Sequence, residues 1–136
     1  MIAAFHLSLA LLAAQPAPEP DWNCDDPTAQ VEMNACAVID FERADAELNR
    51  IWPGLIAGAR AADAELDRAH DRRPGFEQVL REAQRAWIAF RDAHCSWDAY
   101  GGARGGSMEP MLYEGCRATL TRERLRQLVG DGEPAQ

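Results

Sequence analysis

The stretch TAQVEMNACAVIDFERADAELNR, residues 28 to 50, decides the fold. With Val31 taken as position a of a heptad, Val31, Val38, Asp45 and Trp52 fall at a, and Asn34, Phe41, Leu48 and Leu55 fall at d. Apolar residues returning every three and four positions mark one face of an α-helix. Thr28 is placed to cap that helix, and Glu32 puts a negative charge in its first turn, where the helix dipole favours one. Two polar residues, Asn34 and Asp45, interrupt the seam, and Cys36 lies nearly opposite it. Each needs a physical reason.

Downstream, Pro53-Gly54 is expected to kink or end this helix. The Ala-rich stretch that follows continues the helical pattern to about Asp71, and DRRPG, residues 71 to 75, reads as a turn. Phe76, Leu80, Ala83, Trp87, Phe90, His94 and Trp97 recur at spacings of three and four, the stripe of a second long helix. SWDAYGGARGGS, residues 96 to 107, carries four glycines and reads as a loop. Ser107 is placed to cap a third helix with Pro110 in its first turn, carrying Met111, Leu112, Cys116, Leu120 and Leu128. No stretch alternates as a strand would. The expected class is all-α: a small antiparallel bundle of three main helices stapled by two disulfides.

The 136 residues suffice for one domain, and 47% of them are apolar. The net charge is −8, and all 14 basic residues are arginine. That balance argues against nucleic acid, whose phosphates need a basic face, and favours a cationic partner. Residues 2 to 14 are apolar apart from His6 and Ser8, too short to span a bilayer but suited to a secretory signal. Residues 1–17 are therefore read as a signal peptide, with Ala14 and Ala17 small enough to precede a cleavage point, although no Lys or Arg precedes the apolar run. Asp21, Trp22 and Asn23 before Cys24 are not a lipoprotein cleavage context, so no membrane anchor is expected. Residues 18–27 read as a linker and extended lead-in, 28–129 as the helical domain and 130–136 as a flexible tail.

Four cysteines in a small exported chain read as a disulfide framework, with three possible connectivities. Cys36 is eight residues past Thr28 and Cys116 nine past Ser107, rises of about 12 and 13 Å. Equal heights on parallel helices favour Cys36–Cys116, leaving Cys24–Cys95 to clasp the base. The alternative Cys24–Cys36 requires the lead-in to double back along the first helix. Asn34 and Asp45 are expected to be satisfied by neighbours, with Arg91 the candidate partner of Asp45, because its fork suits a carboxylate.

No HExxH, GxSxG or CxxC pattern occurs, and GGARGGS lacks the phosphate-loop pattern. His70 sits beside a turn and His94 on an apolar stripe. No catalytic residue, metal site or cofactor is expected.

The order Cys24, Gln30-x-Glu32-Met33-Asn34-x-Cys36-Ala37, then Ala44-Asp45-x-x-Leu48-Asn49 resembles the opening of the lysozyme-inhibitor LprI-like N-terminal domain family. Ala83-Gln84-x-x-Trp87-x-x-Phe90-Arg91-Asp92-x-x-Cys95 is similar to its second signature. Gly105-Gly106-Ser107 with Pro110-Met111, then Cys116 and Leu120-Thr121-x-x-Arg124, is similar to its third. The resemblance spans about residues 24 to 128 and implies an exported bacterial helical protein, periplasmic or secreted, that inhibits lysozyme by binding it. The common animal lysozymes are basic, which suits an acidic inhibitor. Inhibition needs a rigid element entering a sugar cleft lined by carboxylates. The segment Asp98–Glu109 is the expected element: Tyr100 as anchor, Ser107 reaching an active-site acid, Asp98 and Glu109 beside them. The competing expectation is a non-inhibitory structural or adaptor module of the cell envelope. Oligomeric state is not legible in the sequence.

Overall fold

The apolar seam around residues 31 to 55 folds as a helix, α1, spanning Gln30–Ala64. It is followed by α2, Phe76–Ala103, and α3, Glu109–Val129. The structure, a computed structural model, describes residues 21–130. The expected signal at 1–17, positions 18–20 of the linker and positions 131–136 of the tail lie outside the described residues. Among the described residues there is no strand.

The cap of α1 is Ala29, with Thr28 one residue further out. Glu32 does the capping: its Oε2 accepts the backbone N–H groups of Thr28 at 3.0 Å and Ala29 at 3.1 Å. These bonds hold its carboxyl below the usual carboxylate range. The helix runs unbroken through Pro53 and stops at Ala64 instead of near Asp71. A proline removes one N–H and crowds one turn. Leu48 before it and Ile56 after it are both buried, so packing on either side carries the helix across.

The turn falls earlier than expected, at residues 68–70, where the His70 and Asp71 N–H groups donate to Asp67 O; residues 71–75 are an irregular lead-in with one bend at Arg73, and α2 starts on a contact the sequence did not advertise. The Asp63 carboxylate, on the last turn of α1, accepts the backbone N–H of Phe76 at 2.6 Å and of Glu77 at 3.1 Å. Gly75 makes this approach possible, because a Cβ there would lie 2.5 Å from Asp63 Oδ1. Beside it Glu77 pairs with Arg60 at 2.8 Å and Arg81 at 2.8 Å, which pull its carboxyl down to about 2.

α2 continues two turns beyond the expected loop start, through Gly101 and Gly102 to Ala103. Gly102 belongs to a close approach of helices rather than a loop: a Cβ there would come within 2.7 Å of Leu112 Cδ1 on α3. The connection to α3 is correspondingly short, and the α3 cap is Met108, not Ser107. Contacts Asp45–Arg91 and Arg60–Glu77 make α1 and α2 antiparallel. Contacts Gln84–Arg124 and Cys95–Cys116 do the same for α2 and α3. α3 runs parallel to α1, through Asn34–Ser107 and the Asp40–Arg122 ion pair, and packs most extensively on it.

The disulfides are Cys24–Cys36 and Cys95–Cys116, which overturns the expected pairing Cys36–Cys116 with Cys24–Cys95. Cys95 stands level with Cys116 on the facing helix and takes it as partner. Because α2 extends to Ala103, Cys95 lies eight residues from its end, about 12 Å from the base. Cys95 is fully buried and faces α3. Cys36 points away from the seam and meets the lead-in, which doubles back so that Asp21–Asp25 line a groove with Ile39 and Arg43 of α1.

The facing of the helices also differs from the heptad reading. On α1 the buried residues are Ala44, Leu48 and Ile56, while Val31 and Val38 are exposed. On α2 the buried residues are Gln84, Arg91, Cys95 and Ala99. Phe76, Phe90 and Trp97 of the predicted stripe face outward, with Leu80, Trp87 and His94 half-buried at its edge. The bridge to Cys116 fixes the rotation of α2 about its own axis, and that rotation turns the aromatic stripe away.

Candidate functional site

The polar interruption of the seam has a partner. Arg91 is 4% exposed, and its Nη1 reaches Asp45 Oδ1 at 3.4 Å and Thr121 Oγ1 at 3.2 Å. Its Nε donates to Asp92 Oδ1 at 2.8 Å. The guanidinium is also sandwiched between rings, with its Cζ 5.0 Å from the Phe41 centroid and 5.1 Å from that of Trp87. The pattern extends both ways. The Arg117 Cζ lies 3.7 Å from the Phe41 ring centroid and 5.1 Å from that of Tyr113, and the Arg124 Cζ lies 5.7 Å from that of Trp87. Three guanidiniums thus interleave with three rings drawn from all three helices, each within cation–π range. Asp92 serves two arginines, since Arg117 Nε sits 3.3 Å from its Oδ1. That nitrogen is buried and not aligned for a hydrogen bond, so the contact is an ion pair only. Arg124 Nε donates to Gln84 Oε1 at 3.1 Å, and burial holds its guanidinium below its ordinary value.

The Asp45–Arg91 expectation holds, and the assembly around it is larger than the sequence suggested. Asp92, Thr121 and Arg124 stand in the family signatures without an assigned role, and Arg117 and Tyr113 stand in none. The available signal was an arginine spaced three or four residues from an aromatic on both α2 and α3. Asn34 belongs elsewhere: its Nδ2 donates to the Ser107 carbonyl at 2.9 Å and its Oδ1 accepts from Gln30 Nε2 at 2.8 Å. It ties the start of α1 to the α2–α3 connection.

That connection is the other candidate site. Asp98 and Tyr100 lie on the last turns of α2 and are exposed, not on a loop as expected. The Arg104 guanidinium lies 5.1 Å from the Tyr100 ring. Ser107 is exposed in the short connection, and Glu109 opens α3. The Glu109 carboxylate accepts the Gly105 backbone N–H, and Gly106 N–H donates to Ala103 O at 2.8 Å. The structure therefore gathers Asp98, Tyr100, Ser107 and Glu109 at one end of the bundle, with Glu109 turned to bracing the connection.

His94 stacks on Phe90 at 5.4 Å, and His70 Nδ1 meets Asp67 Oδ2 at 2.6 Å on the surface. Among the described residues, no group of three or more His, Cys, Asp or Glu side chains is placed to hold a metal ion. No described helix is long and apolar enough to cross a membrane.

Fold and interior together define a class: a disulfide-stapled, three-helix domain with an arginine–aromatic centre. The chain belongs to the lysozyme inhibitor LprI family, whose model matches residues 24–128. It is also similar to a protein of Rhizobium meliloti (strain 1021) named "Uncharacterized protein R02472", 45% identical over 130 residues that cover 93% of this chain and 91% of that one. No solved structure matches.

Proposed function

We propose that this protein inhibits a cationic lysozyme by protein–protein binding and catalyses no reaction. The observation that carries the reading is the family match across residues 24–128. A net charge of −8 supports it, since opposite charge speeds encounter with a basic enzyme. The bundle end supports it too. Tyr100 stands on a helix, and the Asn34–Ser107 and Gly105–Glu109 bonds brace the connection. A braced surface loses little freedom on binding. In this reading Tyr100 is the anchor, Asp98 and Ser107 make polar contacts in the sugar cleft, and Glu109 holds the connection in shape. Export supplies the oxidising compartment that two disulfides require. Residues 1–17 act as the signal, and the domain at 28–129 functions in the periplasm or outside the cell.

The test is cell-wall lysis by an animal lysozyme at about 0.15 M salt, where the Debye length is about 8 Å and non-specific attraction is weak. The oxidised protein should inhibit, and a reduced, alkylated sample should not. Tyr100→Ala should weaken inhibition about tenfold or more with helicity unchanged. Absence of inhibition at large molar excess sinks the reading. The exposed apolar side of α2 favours a second one, an envelope adaptor that inhibits nothing.

A further inference from the structure

The outward side of α2 repeats with a period of seven. Phe76, Ala83, Phe90 and Trp97 form one row, and Val79, Ala86, Ala93 and Tyr100 form the other. These are the a and d rows of a coiled-coil seam, and all eight residues are exposed. No charged residue falls in either row. Among the flanking positions on both sides, Glu82 alone is an acid or an arginine. In a chain of net charge −8 this is a charge-free strip running the length of a 28-residue helix.

The strip is complementary to itself. At its C-terminal end Trp97 protrudes, 71% exposed. At its N-terminal end Leu66, Pro74, Phe76, Val79 and Ala83 line a mostly apolar depression of about 670 Å³, ample for an indole, with the Asp71–Arg73 ion pair on its wall. Knob and hollow on one strip are satisfied together by a two-fold operation, in which residue i meets j and j meets i. We propose that α2 pairs antiparallel with α2 of a second copy, about an axis level with Ile88. Trp97 then meets Val79 and the hollow of the second copy, Phe90 meets Ala86, Ala83 meets Ala93, and Phe76 meets Tyr100. In the two central layers Phe90 opposes Ala86, and the layers next to them oppose alanine to alanine. Each row contacts the opposite row, as antiparallel coiled-coil layers require. Glu82 faces Ser96 of the second copy, so the flanking acids of the two copies are kept apart.

The area suffices. Trp97 at 71%, Phe90 at 56%, Phe76 at 54%, Val79 at 50% and Tyr100 at 49% are the main exposed apolar side chains. They offer on the order of 500 Å² per copy, taking roughly 200 Å² per aromatic. With both copies this reaches the roughly 1,000 Å² that separates a specific interface from a packing contact, and the alanines and the rim of the hollow add to it. Tyr100 sits in the terminal layer, so the dimer and the proposed lysozyme contact compete for it.

The experiment is sedimentation of the oxidised full chain without lysozyme, from low to high micromolar concentration. The expected result is twice the 15.0 kDa chain mass at the upper end. Phe90→Glu places two carboxylates near the axis and should yield a monomer, with dissociation at least a hundredfold easier. Trp97→Ala should weaken the dimer about tenfold by emptying the hollow. Both residues are exposed in the single chain, so circular dichroism should be unchanged. A mixture of Ala83→Glu and Ala93→Arg chains should form a mixed dimer, which a parallel pairing would not favour. A chain that stays monomeric throughout overturns the proposal, whether because residues before 21 cover the strip or because nothing does. A dimer indifferent to Phe90→Glu overturns it equally.

Discussion

The two sides of α2 are nearly the reverse of what hydropathy suggests. Its inward side carries Gln84, Arg91, Cys95 and Ala99; its outward side carries Phe76, Phe90 and Trp97. The inward side works because every polar group on it is matched. Arg91 has Asp45, Asp92, Thr121 and two aromatic rings, and Gln84 has Arg124. The difference teaches that apolarity decides which side can be buried, whereas partners decide which side is buried. Here a disulfide and an arginine ladder outvote a row of rings.

The comparison breaks most severely at the bridge. Replacing Cys95 and Cys116 together by Ala should cost about 3–5 kcal/mol in denaturant unfolding, because the fully buried bridge sets the rotation of α2. Arg91→Ala comes next, at about 2–4 kcal/mol, since it empties a buried stack and frees Asp45 and Asp92. Arg91→Lys should recover only part of this, because an ammonium cannot lie flat between Phe41 and Trp87. Gly75→Ala should cost about 1–2 kcal/mol by pushing Asp63 off the start of α2.

Acid probes the same junction. Glu77 has a folded value of about 2, set first by its bond to Arg60 and then by Arg81. That value is below the roughly 4.3 of an unfolded glutamate. Its contribution is therefore complete above the unfolded value and is lost as pH falls through about 2. Urea midpoints measured between those two values should fall less steeply in Glu77→Gln than in the parent chain. Smallest of all, Phe90→Ser should leave monomer stability within about 0.5 kcal/mol, as measured at high dilution. A larger loss would mean that the outward side is not outward.

The existence and order of the helices were legible, because period and turn residues carry that information locally. A break before Phe76, the antiparallel course of α1 and α2 and the Asp45–Arg91 contact could all be read, although the turn itself lies at 68–70 and not at 71–75. What could not be read was rotation about the helix axes. Gly101-Gly102 has the composition of a loop, and only the arrival of Leu112 shows why a helix needs Gly102. A helix ending before those glycines puts Cys95 at the base of the bundle beside Cys24, whereas α2 running to Ala103 lifts it level with Cys116. Asp98, Tyr100, Ser107 and Glu109 lie at one end of the bundle because the chain must turn between Ala103 and Glu109. Their division into exposed Asp98, Tyr100 and Ser107 and bracing Glu109 depends on a backbone N–H that no motif announces.

The bridges close in chain order, first with second and third with fourth, across separations of 12 and 21 residues. In any compartment that oxidises a chain as it emerges, each cysteine meets its native partner as the next thiol to appear. Such a chain needs an oxidant and little reshuffling, and its first loop can close before the rest of the domain has arrived.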